Sequence, residues 1–204
     1  MTGGGDRSVV EWGAAEYALE RDCGDAQVVA PFEGGALVGV IDGLGHGWEA
    51  AQAAREAVRV LEEHAGEPVS ELVQRCHEAL RNTRGAVMTL ASFDARGSSM
   101  TWAGVGNVEA LLLRGDPTAE PAREAVNLRG GVVGYQLPQV RTSSLRVSPG
   151  DTLVMATDGV RSSFAADLRP YERPQDMADG ILARHARRAD DALVLVARYL
   201  GATP

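Results

Sequence analysis

The sequence predicts a mixed fold of α and β structure in which strands outnumber helices. Three observations carry that expectation. Apolar runs of about six residues, 36–41 and 192–197, are bounded by Asp or Gly, the length and punctuation of buried strands rather than helices. Residues 48–65 instead repeat their polar positions at three and four, the period of an amphipathic helix. Turn-forming clusters recur between the apolar runs: Glu33-Gly34-Gly35, Asp94-Ala95-Arg96-Gly97, Gly104-Val105-Gly106-Asn107 and Ser148-Pro149-Gly150-Asp151.

The length of 204 residues fits one domain spanning 1–204, large enough to bury a substantial core. A net charge of -8 argues against a nucleic-acid partner. Cys23 and Cys76 are the only cysteines and lack metal-ligand spacing, so they read as reduced thiols. The start of the sequence has no apolar signal core, and no apolar stretch approaches membrane-spanning length. A cytoplasmic location without a membrane partner is expected.

In chain order, residues 1–7 read as a frayed end and 8–20 as a strand. Strands at 26–32 and 36–41 are joined by a hairpin turn at Glu33-Gly34, which places Asp25 almost opposite Asp42. Like charges so placed repel unless a cation lies between them, so the register alone raises a metal hypothesis. Asp42 also ends its apolar run and opens through glycines into the helix at 48–65, whose inward side is expected to carry Ala51, Ala54, Val58 and Leu61. Gly66 stops that helix, Pro68 starts another, and Val69, Leu72, Val73, Cys76 and Leu80 form the second buried stripe. His64 and His77 read as surface or hydrogen-bonded residues.

Residues 86–93, 99–103 and 108–114 read as three strands of a meander, followed by a polar loop or flap at 115–131 and a turn at 131–134. Strands are expected at 142–147 and 152–157, the latter ending in Asp158-Gly159. Residues 161–167 are ambiguous, and 174–187 carry Met177, Ala178, Ile181 and Leu182 at helical spacing. The final strand, 192–197, begins with Asp190-Asp191. If it runs antiparallel to the strands ending at Asp42 and Asp158, these acids collect at one edge of the sheets.

Singly, each acid is a turn, cap or solvated residue. Together they form an oxygen-only set without clustered His or Cys, which favours Mg²⁺ or Mn²⁺ over Zn²⁺. Two such ions, roughly 3.5–4 Å apart, activate water for phosphoester displacement without a protein nucleophile.

The segments Gly24-Asp25-Ala26, Asp42-Gly43-Leu44-Gly45-His46-Gly47, Ala156-Thr157-Asp158-Gly159-Val160 and Asp190-Asp191 resemble, in order, the motifs of the metal-dependent type-2C (PPM) serine/threonine protein phosphatases. The resemblance is to the bacterial SpoIIE-like branch with its short RsbX-type stressosome phosphatases. It implies a four-layer α-β-β-α sandwich of two antiparallel sheets flanked by helices. By position it further implies that Asp42 bridges two divalent cations, that the Gly43 carbonyl ligates one, and that Asp158 and Asp190 complete the other. Asp25 would act through metal-bound water, and Asp191 falls where the family has a polar supporting residue, with the register of the pair open by one. The implied substrates are phosphorylated stressosome scaffold or anti-sigma-circuit proteins.

His46 is displaced by two residues from the proposed general acid of the eukaryotic enzymes. Arg21 lies near the region where a phosphate-gripping arginine is expected, although an exposed strand arginine is the commoner outcome. Two readings from other classes stand beside the phosphatase. One is an ATP-binding serine kinase of the histidine-kinase ATPase type, which Asp42 to His46 partly imitates; the other is a non-catalytic interaction domain with a phosphatase fold.

Overall fold

The computed structural model describes residues 8–202, so the expected frayed end at 1–7 lies outside the described residues. Among the described residues, eleven strands and three α-helices form two sheets and their coverings. The first sheet contains β1 (Val10–Tyr17), β6 (Glu109–Leu113), β7 (Arg123–Ala125), β10 (Thr152–Ala156) and β11 (Ala192–Tyr199), in the order β1-β11-β10-β6-β7. The second contains β2 (Asp25–Phe32), β3 (Gly35–Gly43), β4 (Ala86–Asp94), β5 (Ser99–Val105) and β8 (Leu128–Arg129), in that order, with β9 (Ser143–Arg146) also pairing β5. Pairing is antiparallel except between β5 and β8.

Alternation along the strands sorts their side chains between two packing faces. Val38 and Val40 of β3 join Phe93, Trp102, Leu112, Met155, Leu195 and Tyr199 in a core shared by both sheets. Leu37 and Ile41, on the other face of β3, pack with α1 (Trp48–Glu63) and α2 (Val69–Ala79). On the outer face of the first sheet, Val154, Val194 and Val196 pack with Met177, Ala178 and Ile181 of α3 (Pro174–His185). The layers are therefore α-β-β-α, and the uninterrupted apolar runs reflect strands buried on both faces. Across the central layer, the rings of Phe93 and Tyr199 stack with centroids 5.7 Å apart.

The β2–β3 hairpin turns through Glu33-Gly34 as expected, with Gly34 at φ +81°. On α1 the buried residues are Ala50, Ala51, Ala53, Ala54, Ala57, Val60 and Leu61, so Ala51, Ala54 and Leu61 lie inward as expected, while Val58 is only half-buried. The alanines on this face let the helix sit close to the sheet. All the expected buried residues of the second stripe are buried, Leu80 just beyond α2 in a short 3₁₀ turn.

Two expectations need correction. The meander breaks after β5, because β6 crosses to the other sheet and pairs with β10 and β7. Gly106, at φ +99°, makes that crossing and donates its N–H to the Arg129 carbonyl. The segment 115–131 is also more than a loop: β7 pairs with β6, and β8 lies alongside β5. Both short strands satisfy backbone groups that sheet edges would otherwise leave open. Residues 161–167, ambiguous in sequence, contain a 3₁₀ turn at Ser162–Ala166. Among the described residues, no helix is long and apolar enough to cross a membrane.

Candidate metal centre

Asp25 opens β2 and Asp42 is the penultimate residue of β3, and the two are direct cross-strand partners. The facing sheet supplies the rest. Ala156 at the end of β10 pairs with Val194 near the start of β11, so Asp158, just beyond β10, and Asp190-Asp191, just before β11, come to the same end of the molecule. All five aspartates line one cavity of about 510 Å³ between the sheets, together with His46 and Asn107.

Close packing at the cavity's base depends on glycine. A Cβ on Gly43 would lie 2.2 Å from the Ala50 carbonyl oxygen, so the first turn of α1 rests directly on the end of β3. Gly43 is buried and donates its N–H to the Gly24 carbonyl, 3.0 Å away, tying the starts of two motif segments together.

Hydrogen bonds distinguish the five carboxylates from one another. Both oxygens of Asp191 are engaged, accepting the backbone N–H of Leu19 at 2.7 Å and of Gly24 at 2.6 Å. This buried side chain therefore clamps the β1–β2 connection, leaving Asp190 as the member of the pair with an oxygen to offer. Asp190 is exposed, and its Oδ1 accepts the Asp191 N–H at 2.9 Å. Asp25 Oδ2 accepts the Thr157 hydroxyl at 2.7 Å, while Thr157 Oγ1 accepts the Leu193 N–H at 2.9 Å. Asp158 Oδ2 accepts the side-chain amide of Asn107 at 2.8 Å. Among the described residues, neither oxygen of Asp42 accepts a hydrogen bond.

The electrostatics follow from that crowding. Burial, partly offset by the Thr157 hydroxyl and reinforced by Asp191, Asp158 and Asp190, pushes the Asp25 carboxyl up to about 7. Burial first, then repulsion from Asp25 and the other aspartates, raises Asp42 to about 8. Among the described residues, neither lysine nor arginine lines the cavity to offset the charge. Divalent cations fit this donor set, since they would relieve both burial and repulsion of the ionised carboxylates. Among the described residues, no three acidic, His or Cys side chains already close around one point. Mg²⁺ suits such an open arrangement, because it commonly binds through one or two carboxylates and keeps several waters.

His46 lies at the exposed rim, with Nδ1 2.6 Å from Glu20 Oε1. Arg21 is exposed in the bends between β1 and β2, on no strand, and does not line the cavity. His77 accepts the Gly134 N–H through Nδ1, and His64 pairs with Glu67, so both stand outside the centre. Cys76 is buried in the helical layer, and burial pushes both Cys23 and Cys76 up to about 12.

Asn107 and Thr157 are the residues that sequence reasoning left without a role. Thr157 sits inside the Ala156-Thr157-Asp158 segment, and Asn107 reads as an ordinary turn residue. Their partners lie 132 and 51 residues away, so local pattern carries no signal of either contact.

Comparison with known proteins places these features in context. The family model for Stage II sporulation protein E (SpoIIE) matches residues 33–200. The phosphoserine phosphatase RsbX of Bacillus subtilis (strain 168) is 24% identical over 183 residues, covering 86% of this chain and 88% of RsbX. Among solved structures, one from work on the bacterial stressosome as a modular system adapted to control secondary messenger signaling is 30% identical, with a TM-score of 0.82 over 93% of this chain and 99% of the other. The crystal structure of RsbX in complex with magnesium is 21% identical, with a TM-score of 0.81 over 93% and 94% of the two chains.

Proposed function

The chain belongs to the SpoIIE family, and from that premise we propose that it is a protein phosphatase, hydrolysing phosphoserine or phosphothreonine in a partner protein with the help of two divalent cations. The observation that carries this reading is the meeting of Asp25 and Asp42 from one sheet with Asp158 and Asp190 from the other around a single cavity. RsbX, which has been crystallised with magnesium, supports the choice of cation class. Either Mg²⁺ or Mn²⁺ suits an all-oxygen site.

The oxygens left open support the following roles. Asp42, with both oxygens free, is the ligand suited to two ions, whereas Asp25, Asp158 and Asp190 each offer one. Asp25 would hold a cation directly or through water, and the Gly43 carbonyl is a further candidate ligand. Asp191 supports the centre from behind, because its carboxylate is spent on Leu19 and Gly24. Cations bound here would supply an activated water for attack on phosphorus and neutralise the phosphoryl oxygens. With His46 Nδ1 held by Glu20, Nε2 is the ring nitrogen left to deliver a proton to the departing serine or threonine oxygen.

Phosphorylated stressosome scaffold proteins or anti-sigma-circuit regulators are the proposed substrates, on the strength of the similarity to RsbX and to the stressosome structure. The family match sets the kinase reading aside. The test is to incubate phosphorylated scaffold and regulator proteins with the chain and Mn²⁺, following loss of phosphate by mass spectrometry. Release that requires both the cation and Asp42 supports the proposal. Metal-dependent binding of the phosphoproteins without release would favour the interaction domain instead.

A further inference from the structure

Three of the four carboxylates available to a cation share one feature: a protein donor already occupies one oxygen of each. Asn107 donates to Asp158 Oδ2 at 2.8 Å, Thr157 to Asp25 Oδ2 at 2.7 Å, and the Asp191 N–H to Asp190 Oδ1 at 2.9 Å. Such a donor fixes the plane of the carboxylate and draws negative charge from the bonded oxygen. An ion seeking to chelate both oxygens would have to displace the donor or share its oxygen. An ion satisfied by one oxygen leaves the hydrogen bond intact.

This difference separates cations by size. Mg²⁺ takes six ligands in a near-octahedral shell at about 2.0–2.1 Å and retains water, so single carboxylate oxygens suit it. Ca²⁺ takes roughly six to eight oxygens at about 2.3–2.6 Å and readily gathers them from bidentate carboxylates. We infer that Asn107, with Thr157, acts as a selectivity residue, holding Asp158 and Asp25 to single-oxygen coordination so that the centre prefers small octahedral cations over calcium. The inference rests on the metal-centre reading above but concerns which ion is held, not whether phosphate is released.

Asn107 offers the cleaner test. It lies on the exposed connection between β5 and β6 and contributes no buried packing, whereas Thr157 is buried and also accepts the Leu193 N–H. Isothermal titration calorimetry of the full chain with MgCl₂, MnCl₂ and CaCl₂ gives the ratio of the Ca²⁺ to the Mg²⁺ dissociation constant. In Asn107→Ala that ratio should fall ~10-fold, because Mg²⁺ loses a supported ligand, at the cost in affinity typical for a supporting partner, while Ca²⁺ recovers its loss by chelating the freed Asp158. Simple loosening of the site would weaken both ions together and leave the ratio alone. Thr157→Ser keeps the hydroxyl and should keep the ratio.

A ratio in folded Asn107→Ala within about twofold of the original, against the expected loss of a ligand's supporting contact, overturns the inference while leaving the metal centre standing. Equal affinity of the unaltered chain for Ca²⁺ and Mg²⁺ also overturns it. Failure of the unaltered chain to bind any of the three ions overturns this inference and the metal-centre reading together.

Discussion

Asp25 and Asp42 stand directly opposite each other on the β2–β3 ladder, two carboxyls held as a cross-strand pair inside a cavity that, among the described residues, neither lysine nor arginine lines. A pair of this kind is unfavourable on its own account, since facing like charges oppose sheet formation and burial removes the water that would screen them. The hairpin that creates it is secured elsewhere, by the apolar residues of β3 packed on both faces. The structure therefore supports a repulsion that a bound cation would remove.

Asp42→Asn should cut Mn²⁺-dependent hydrolysis of p-nitrophenyl phosphate by roughly 10²–10³-fold or more, a loss in line with removal of one strong stabiliser of transition-state charge. The metal-free variant should fold normally and melt at the same or a higher temperature, most clearly above about pH 8 where the buried Asp42 carboxylate would be ionised and repelled. Circular dichroism and steady-state kinetics together check both halves. Retained activity would contradict the assignment of Asp42.

Stability without metal should depend on pH in a defined direction. Burial and mutual repulsion push the folded carboxyls of Asp25 and Asp42 up to about 7 and about 8, above the ordinary 3.8, so between those limits the folded state binds protons that the unfolded chain has released. Stability must then decline as pH rises through that window and level off above the higher folded value. Thermal melts in chelator at pH 5.5 and 8.5 should show the lower melting temperature at 8.5. Added Mg²⁺ should raise it more at 8.5 than at 5.5, because fewer protons have to leave.

The adjacent aspartates should separate by phenotype. Asp190→Asn is expected to weaken Mg²⁺ binding with little change in the melting temperature of the metal-free chain. In Asp191→Asn one of the two backbone N–H groups now held by the carboxylate meets an amide NH₂, at a cost of about 1–3 kcal/mol in stability. Calorimetric metal titration alongside denaturant unfolding would distinguish them, and the opposite pattern would shift the ligand assignment to Asp191.

Gly43→Ala tests the seating of α1. Its new Cβ would fall 2.2 Å from the Ala50 carbonyl oxygen, so the helix must move off β3. A loss of roughly 1–3 kcal/mol or more is expected from such overpacking against backbone. Weaker metal binding should accompany it, as the 42–47 segment is displaced.

Much of this molecule could be read before any coordinates. The Glu33-Gly34 turn counts residues back along both strands, so the opposition of Asp25 and Asp42 followed from local register. The same is true of the amphipathic helices, whose buried faces are written in their period. Other features belonged to the tertiary structure alone. The departure of β6 to the other sheet rests on how a strand edge is paired, and the open backbone groups of 115–131 found partners on both sheets. The engagement of both Asp191 oxygens depended on Leu19 and Gly24, more than 160 residues earlier in the chain. Sequence determines which residues alternate, turn or repel, because those effects act between near neighbours. Which oxygen of a carboxylate remains free is decided only when distant donors such as Asn107 and Thr157 are brought within hydrogen-bond reach, and packing of the two sheets is what brings them there.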